Sequence, residues 1–152
     1  MKYITLNSRL VKFIMNFWPP LLLTGIKVTS ISKDFSKISV KMSLRFYNKN
    51  YVGVHFGGSL YAMTDPFYMI MVMKALGPNY YVWDYAAEID FIKPGKGAVY
   101  CDFSLSEGDV HDIEINTADG EKYIKDFLVS IIDDENKIIA KVKKKIYIKL
   151  KN

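Results

Sequence analysis

From Ser59 to Leu76 the chain reads SLYAMTDPFYMIMVMKAL, apolar nearly all round, with Asp65 and Lys74 as its only charged residues. Gly57-Gly58 precedes it. Gly77-Pro78-Asn79 ends it with a glycine just past the helix and a proline beyond. A helix without a polar face must be wrapped by other structure. Asp65, Pro66 and Lys74 keep its uncharged runs far short of the ~20 apolar residues that a membrane span needs. The remaining chain therefore has to supply the wrapping.

Alternating patterns on both sides provide it. A first strand is predicted over 25–32, and Asp34-Phe35-Ser36 turns into a second. There Ile38, Val40, Met42, Leu44 and Phe46 share one face, and Ser39, Lys41, Ser43 and Arg45 the other. After the central helix, Tyr85, Ala87, Ile89 and Phe91 alternate with Ala86, Glu88, Asp90 and Ile92, and 93–97 forms a turn. Val99, Cys101, Phe103 and Leu105 continue in the same way. The polar segment 107–120 predicts one short helix, with Asp109 as its candidate cap. Residues 123–132, apolar on both faces, predict a central strand. In the last strand Lys141, Lys143, Lys145 and Lys149 occupy one face.

Upstream, Leu6, Leu10, Phe13, Ile14 and Phe17 stand at helical spacing, Asn7 or Ser8 can cap, and Pro19-Pro20 stops the helix. The expectation is an α+β fold in one domain over 1–152: an N-terminal helix, then an antiparallel sheet of about six strands wrapped around one long central helix. Its outer face and edges need protection, which points to a homodimer or homotetramer.

A chain of 152 residues, half of them hydrophobic, can bury one substantial core. The lone Cys101 excludes an intrachain disulfide and suits a buried thiol in a reducing compartment, so a cytoplasmic protein is expected. Lys2, Arg9 and Lys12 ahead of 13–23 imitate a secretory signal, but Pro19-Pro20 interrupts the stretch and no cleavage site follows. No membrane partner is expected. Six lysines between Lys141 and Lys151 make the net charge of +5 look local. They admit three readings: a solvated face, a phosphate contact or a nucleic-acid patch. No nucleic-acid motif accompanies them, so nucleic acid is not expected. The two histidines, His55 and His111, form no cluster at metal spacing, and no metal is expected.

Chemistry concentrates in His55-Phe56-Gly57-Gly58-Ser59 followed by Asp65. Paired glycines at a helix start let a ligand approach unpaired N–H groups, which can stabilise an oxyanion. Asp65, two helical turns on, is then a candidate general base or nucleophile. Asn48, Asn50 and His55 are candidates to orient water or polarise a substrate, and Arg45, Lys93 and Lys96 to grip phosphates. The plainer readings stand beside these: Asp65 as the cap of a helix with Pro66 at its first position, and His55 as a hydrogen-bonded loop residue.

Phe17-Trp18-Pro19-Pro20, the run Asn48-x-Asn50-x-x-Gly53-x-His55 through Pro66, Val82-Trp83-Asp84 and Ile89 through Gly95 together resemble one family over nearly the whole chain. It is the hotdog-fold acyl-CoA thioesterase-like proteins, within them a mostly uncharacterised bacterial group related to phenylacetyl-CoA-type thioesterases. The resemblance implies a hotdog fold and hydrolysis of an acyl-coenzyme A, with a non-catalytic acyl-binding protein as the alternative. It implies no cofactor beyond the coenzyme A of the substrate. It places Asp65 and Gly58 in catalysis, with Lys93 and Pro94 of one subunit near Asp65 of another; the residues themselves add His55 and Asn48 as catalytic candidates and Asn50, Phe56, Gly57, Ser59 and Arg45 as candidates at the substrate, beside Lys93 and Pro94. In two respects the chain departs from the pattern. Phe56 stands where those thioesterases have histidine, and Pro66 directly follows Asp65, which predicts a kink or a displaced helix start.

Overall fold

A computed structural model describes residues 6–151. Six antiparallel strands form one sheet in the order β1-β2-β4-β5-β6-β3. They are β1 (Ile26–Ile31), β2 (Lys37–Ser43), β3 (Tyr80–Phe91), β4 (Ala98–Ser104), β5 (Tyr123–Asp133) and β6 (Ile138–Leu150). The apolar face carries Val28, Val40, Met42, Val99, Cys101, Ile131, Val142 and Ile146, all buried. Against this core packs the central helical segment, which buries Met63, Phe67, Tyr68, Met71 and Val72. The arrangement is the expected hotdog fold, a sheet curled around a helix too apolar to face water.

Pro66 has the predicted effect. The central segment is made of α3 (Gly57–Ala62) and α4 (Phe67–Leu76), and the backbone between them is turned. Proline lacks an N–H and clashes with the preceding turn, so the helix restarts after it. Asp65 does not cap the restart, because its carboxylate is engaged elsewhere.

Local chemistry sets the other elements. The N-terminal helix α1 (Ser8–Phe17) is capped by Asn7, whose Oδ1 accepts from the Leu10 N–H at 2.9 Å. Pro19–Leu22 adds one short turn of helix, α2, with proline at its start. The helix α5 (Glu107–Thr117) begins at Ser106, not at Asp109; Asp109 instead completes a capping box with the Ser106 hydroxyl and N–H.

Two expectations are corrected, and the orientation of α1 is settled. The alternation read as far as Phe46 stops at Ser43, and Phe46 is exposed. In β3 the register shifts between Asp84 and Ala86, a bulge at which Tyr85 is exposed and Asp84 stands opposite the buried Ile146, and beyond which Ala87 and Ile89 keep the more buried face. The stripe Leu10, Phe13, Ile14 and Phe17 faces outward, and the sheet side of α1 is formed by Ser8, Val11 and Met15. No helix of the described residues is long and apolar enough to cross a membrane.

Candidate functional site

Gly57 and its neighbours form a cleft of about 380 Å³ lined by Asn50, His55, Phe91, Lys93 and Pro94, among others. Two loops meet there. The His55 N–H donates to the Gly95 carbonyl at 3.0 Å, and the carbonyl of Gly97 accepts from both the Leu44 N–H and the imidazole Nε2 of His55. Close contact favours glycine at position 95: a Cβ there would sit 3.1 Å from the His55 ring and 3.2 Å from Ile139. Thus Lys93 and Pro94 lie beside His55 of the same chain.

His55 is buried, and burial pushes its pKa below the ordinary value. A carbonyl can only accept, so Nε2 carries the proton and neutral Nδ1 is a bare acceptor. Nδ1 has no protein partner despite its burial. That combination is a hydrogen-bonded loop histidine with one unused nitrogen, so both sequence readings keep a place.

Asn48 staples the loop. Its amide donates to the Thr24 and Ser43 carbonyls, each at 3.0 Å, and its Oδ1 accepts from the Arg45 N–H at 2.7 Å. Both of its donors are thereby occupied. Asn50 accepts from the Val52 and Val54 N–H groups. Arg45 is exposed and lines a separate depression with Lys27 and Lys41. Gly57 and Gly58 form the first turn of α3, where N–H groups lack intrahelical acceptors. The ring of Phe91 lies over Gly57 and that of Phe56 over Gly58. Ser59 is buried.

Asp65 sits apart, in a shallow depression of about 150 Å³ with Trp18, Pro20, Tyr61 and Pro66. One of its oxygens, Oδ1, accepts from the Tyr61 hydroxyl at 3.0 Å and from the Lys144 ammonium at 2.8 Å. Lys144 is fully buried, ion-paired to Asp84 at 2.8 Å as well, and 3.3 Å from the Tyr61 hydroxyl. Burial opposes its charge, but the two carboxylates outweigh that and hold its pKa above the ordinary lysine value. Burial pushes Asp84 upward, with Lys144 opposing. The Asp65 side chain stays 47% exposed.

Sequence reading missed Lys144 among its lysine neighbours. The signal was present: Ala140, Val142, Ile146 and Ile148 recur at every second position, and Lys144 completes their set. On the outward face, Lys143 and Lys145 both pair with the partly exposed Asp126.

A six-stranded antiparallel sheet curled around a broken central helix is the hotdog fold. The chain belongs to the family described as a domain of unknown function (DUF4442), whose model matches residues 7–148. A probable thioesterase of unknown function from Pseudomonas aeruginosa is similar over 98% of this chain and 99% of that one, with 12% identity and a TM-score of 0.83. A thioesterase from Haemophilus influenzae shares 14% identity over 97% and 93% of the two chains, at a TM-score of 0.69. The PaaI protein of the phenylacetic acid degradation operon of E. coli shares 15% over 90% and 88%, at 0.61. No curated protein matches the chain.

Proposed function

We propose that this protein is a cytoplasmic acyl-CoA thioesterase in which Asp65 activates water or attacks the thioester carbonyl. The observation that carries the proposal is the asymmetry of the Asp65 carboxylate: Lys144 and Tyr61 fix Oδ1, while the half-exposed side chain leaves Oδ2 available. A carboxylate oriented in this way is suited to accept a proton from water as the water oxygen bonds to the carbonyl carbon. Collapse of the adduct breaks the carbon–sulfur bond, and the departing thiolate takes a proton.

In this reading the Gly58 amide, in the first turn of α3, donates to the oxyanion. The unpaired, buried Nδ1 of His55 accepts from an enclosed water, and Asn48 holds the loop that carries it. Gly57, Asn50, Phe56, Ser59, Lys93 and Pro94 shape the cleft, and Arg45 meets coenzyme phosphates. Because Asp65 and the His55 cleft open onto different depressions of one chain, two copies complete the site, with Lys93 and Pro94 of one near Asp65 of the other.

That same separation favours the second reading, a non-catalytic acyl-CoA-binding protein. Hydrolysis across acetyl, longer acyl and aryl CoAs, wild type against Asp65→Asn at matched folding, decides between them. The expected loss is about 10²–10⁴-fold. Unchanged turnover in the variant refutes the Asp65 mechanism; acyl-CoA binding without turnover in both proteins establishes the binding reading.

A further inference from the structure

The outward stripe of α1 has no task in the core. Leu10, Phe13, Ile14 and Phe17 follow the i, i+3, i+4, i+7 spacing of one helix face, and that face points away from the sheet. Phe13 is 61% exposed, Phe17 62% and Leu23 just beyond α2 73%. Trp18 and Leu22 are exposed beside them. A groove of about 700 Å³ runs along the patch, where Arg9, Lys12 and Lys27 meet Phe13, Phe17 and Leu22.

Charge points to the occupant. No carboxylate side chain precedes Asp34, whereas Lys2, Arg9, Lys12, Lys27 and Lys33 all fall before it. The net charge of +5 therefore resides entirely in the first 33 residues, and beyond them acidic and basic residues balance. Ion pairs among the described residues involve Lys125, Lys137, Lys143, Lys144 and Lys145, so Arg9, Lys12 and Lys27 remain uncommitted.

We propose that the α1–α2 face docks on an anionic lipid bilayer surface. Phe, Trp and Leu side chains enter the headgroup and acyl boundary while the flanking cations meet lipid phosphates. A second copy of this chain fits less well. An isologous contact sets the same groove against itself, and Arg9, Lys12 and Lys27 line that groove with no carboxylate among its lining residues; Asp65, beside Trp18 at the edge of the face, is already paired with Lys144. The absence of a spanning helix does not oppose the proposal, since lying on a bilayer demands one apolar face and not ~20 apolar residues.

The test is co-sedimentation of the full chain with phosphatidylcholine vesicles, pure or containing about one third phosphatidylglycerol. Binding to the anionic vesicles alone, weakened by salt, is expected. Phe13→Gln with Phe17→Gln should reduce it about tenfold, and Arg9→Gln with Lys12→Gln several-fold. Arg9, Phe13 and Phe17 are exposed and Lys12 is partly so, and circular dichroism should be unchanged. In a Trp83→Phe protein, Trp18 is the remaining tryptophan, and brominated acyl chains should quench its fluorescence. No vesicle binding, or binding that these substitutions leave intact, overturns the proposal. So does dissociation of an oligomer by Phe13→Gln and Phe17→Gln in a protein that ignores vesicles, which would make the face a contact between copies. Capture of a soluble fatty-acid anion without vesicle binding would likewise replace the bilayer with a single amphiphile.

Discussion

Lys143 and Lys144 are neighbours on β6 and live in opposite surroundings. Lys143 reaches outward to Asp126 at 2.7 Å, with the two side chains 37% and 41% exposed. Lys144 points inward, fully buried, with Asp65 and Asp84 each at 2.8 Å. The same ammonium is thus a solvated surface charge in one case and the hub of a buried cluster in the other. Successive side chains of a strand face opposite sides, so a single step along the chain separates high from low effective dielectric. In water the attraction is nearly cancelled by screening; inside, losing one member leaves the others without compensation.

The largest expected effect comes from breaking the inner cluster. Lys144→Met should lower unfolding stability by about 3 kcal/mol in urea titration, the low end for a broken buried pair because Asp65 still reaches water. Adding Asp84→Asn should restore part of the loss by removing the stranded charge. If Lys143→Met were equally damaging, the contrast between the two faces would fail.

A buried titratable group without a carboxylate partner sharpens the comparison. Lys144 is held charged, but His55 has only the Gly97 carbonyl and is held neutral by burial. Its folded pKa lies below the ordinary 6.5, so the unfolded chain takes up the proton first as pH falls. Stability from this group is complete above about pH 6.5 and declines as pH drops toward the folded pKa, by no more than about 1.4 kcal/mol per pH unit. His55→Asn should flatten that part of the stability profile measured by thermal or urea unfolding. The smallest effect belongs to the outer pair. Lys143→Met should change stability by less than about 0.5 kcal/mol, and added salt should erase the difference.

Much of the fold was legible in residues alone. The alternation at Ile38, Val40 and Met42, the turn after Gly77 and the proline break at Pro66 each reflect local rules that tertiary packing left standing. The site was legible in part. The run from His55 to Ser59 and the loop at Lys93-Pro94 were singled out by residue type, yet their union in one cleft depends on hydrogen bonds between segments some forty positions apart.

Sequence by itself determined the order of helices and strands, that an apolar core is buried, and that Pro66 interrupts the central helical segment, because these follow from periodicity and from the backbone limits of proline and glycine. Tertiary structure alone decided which apolar stripe of α1 faces the sheet, that Asp84 stands on the inner side of a bulge, and that Lys144 rather than its neighbours meets Asp65. Those outcomes depend on which surfaces the folded chain brings together, and burial and charge pairing between distant segments are not written in the local pattern of any one of them.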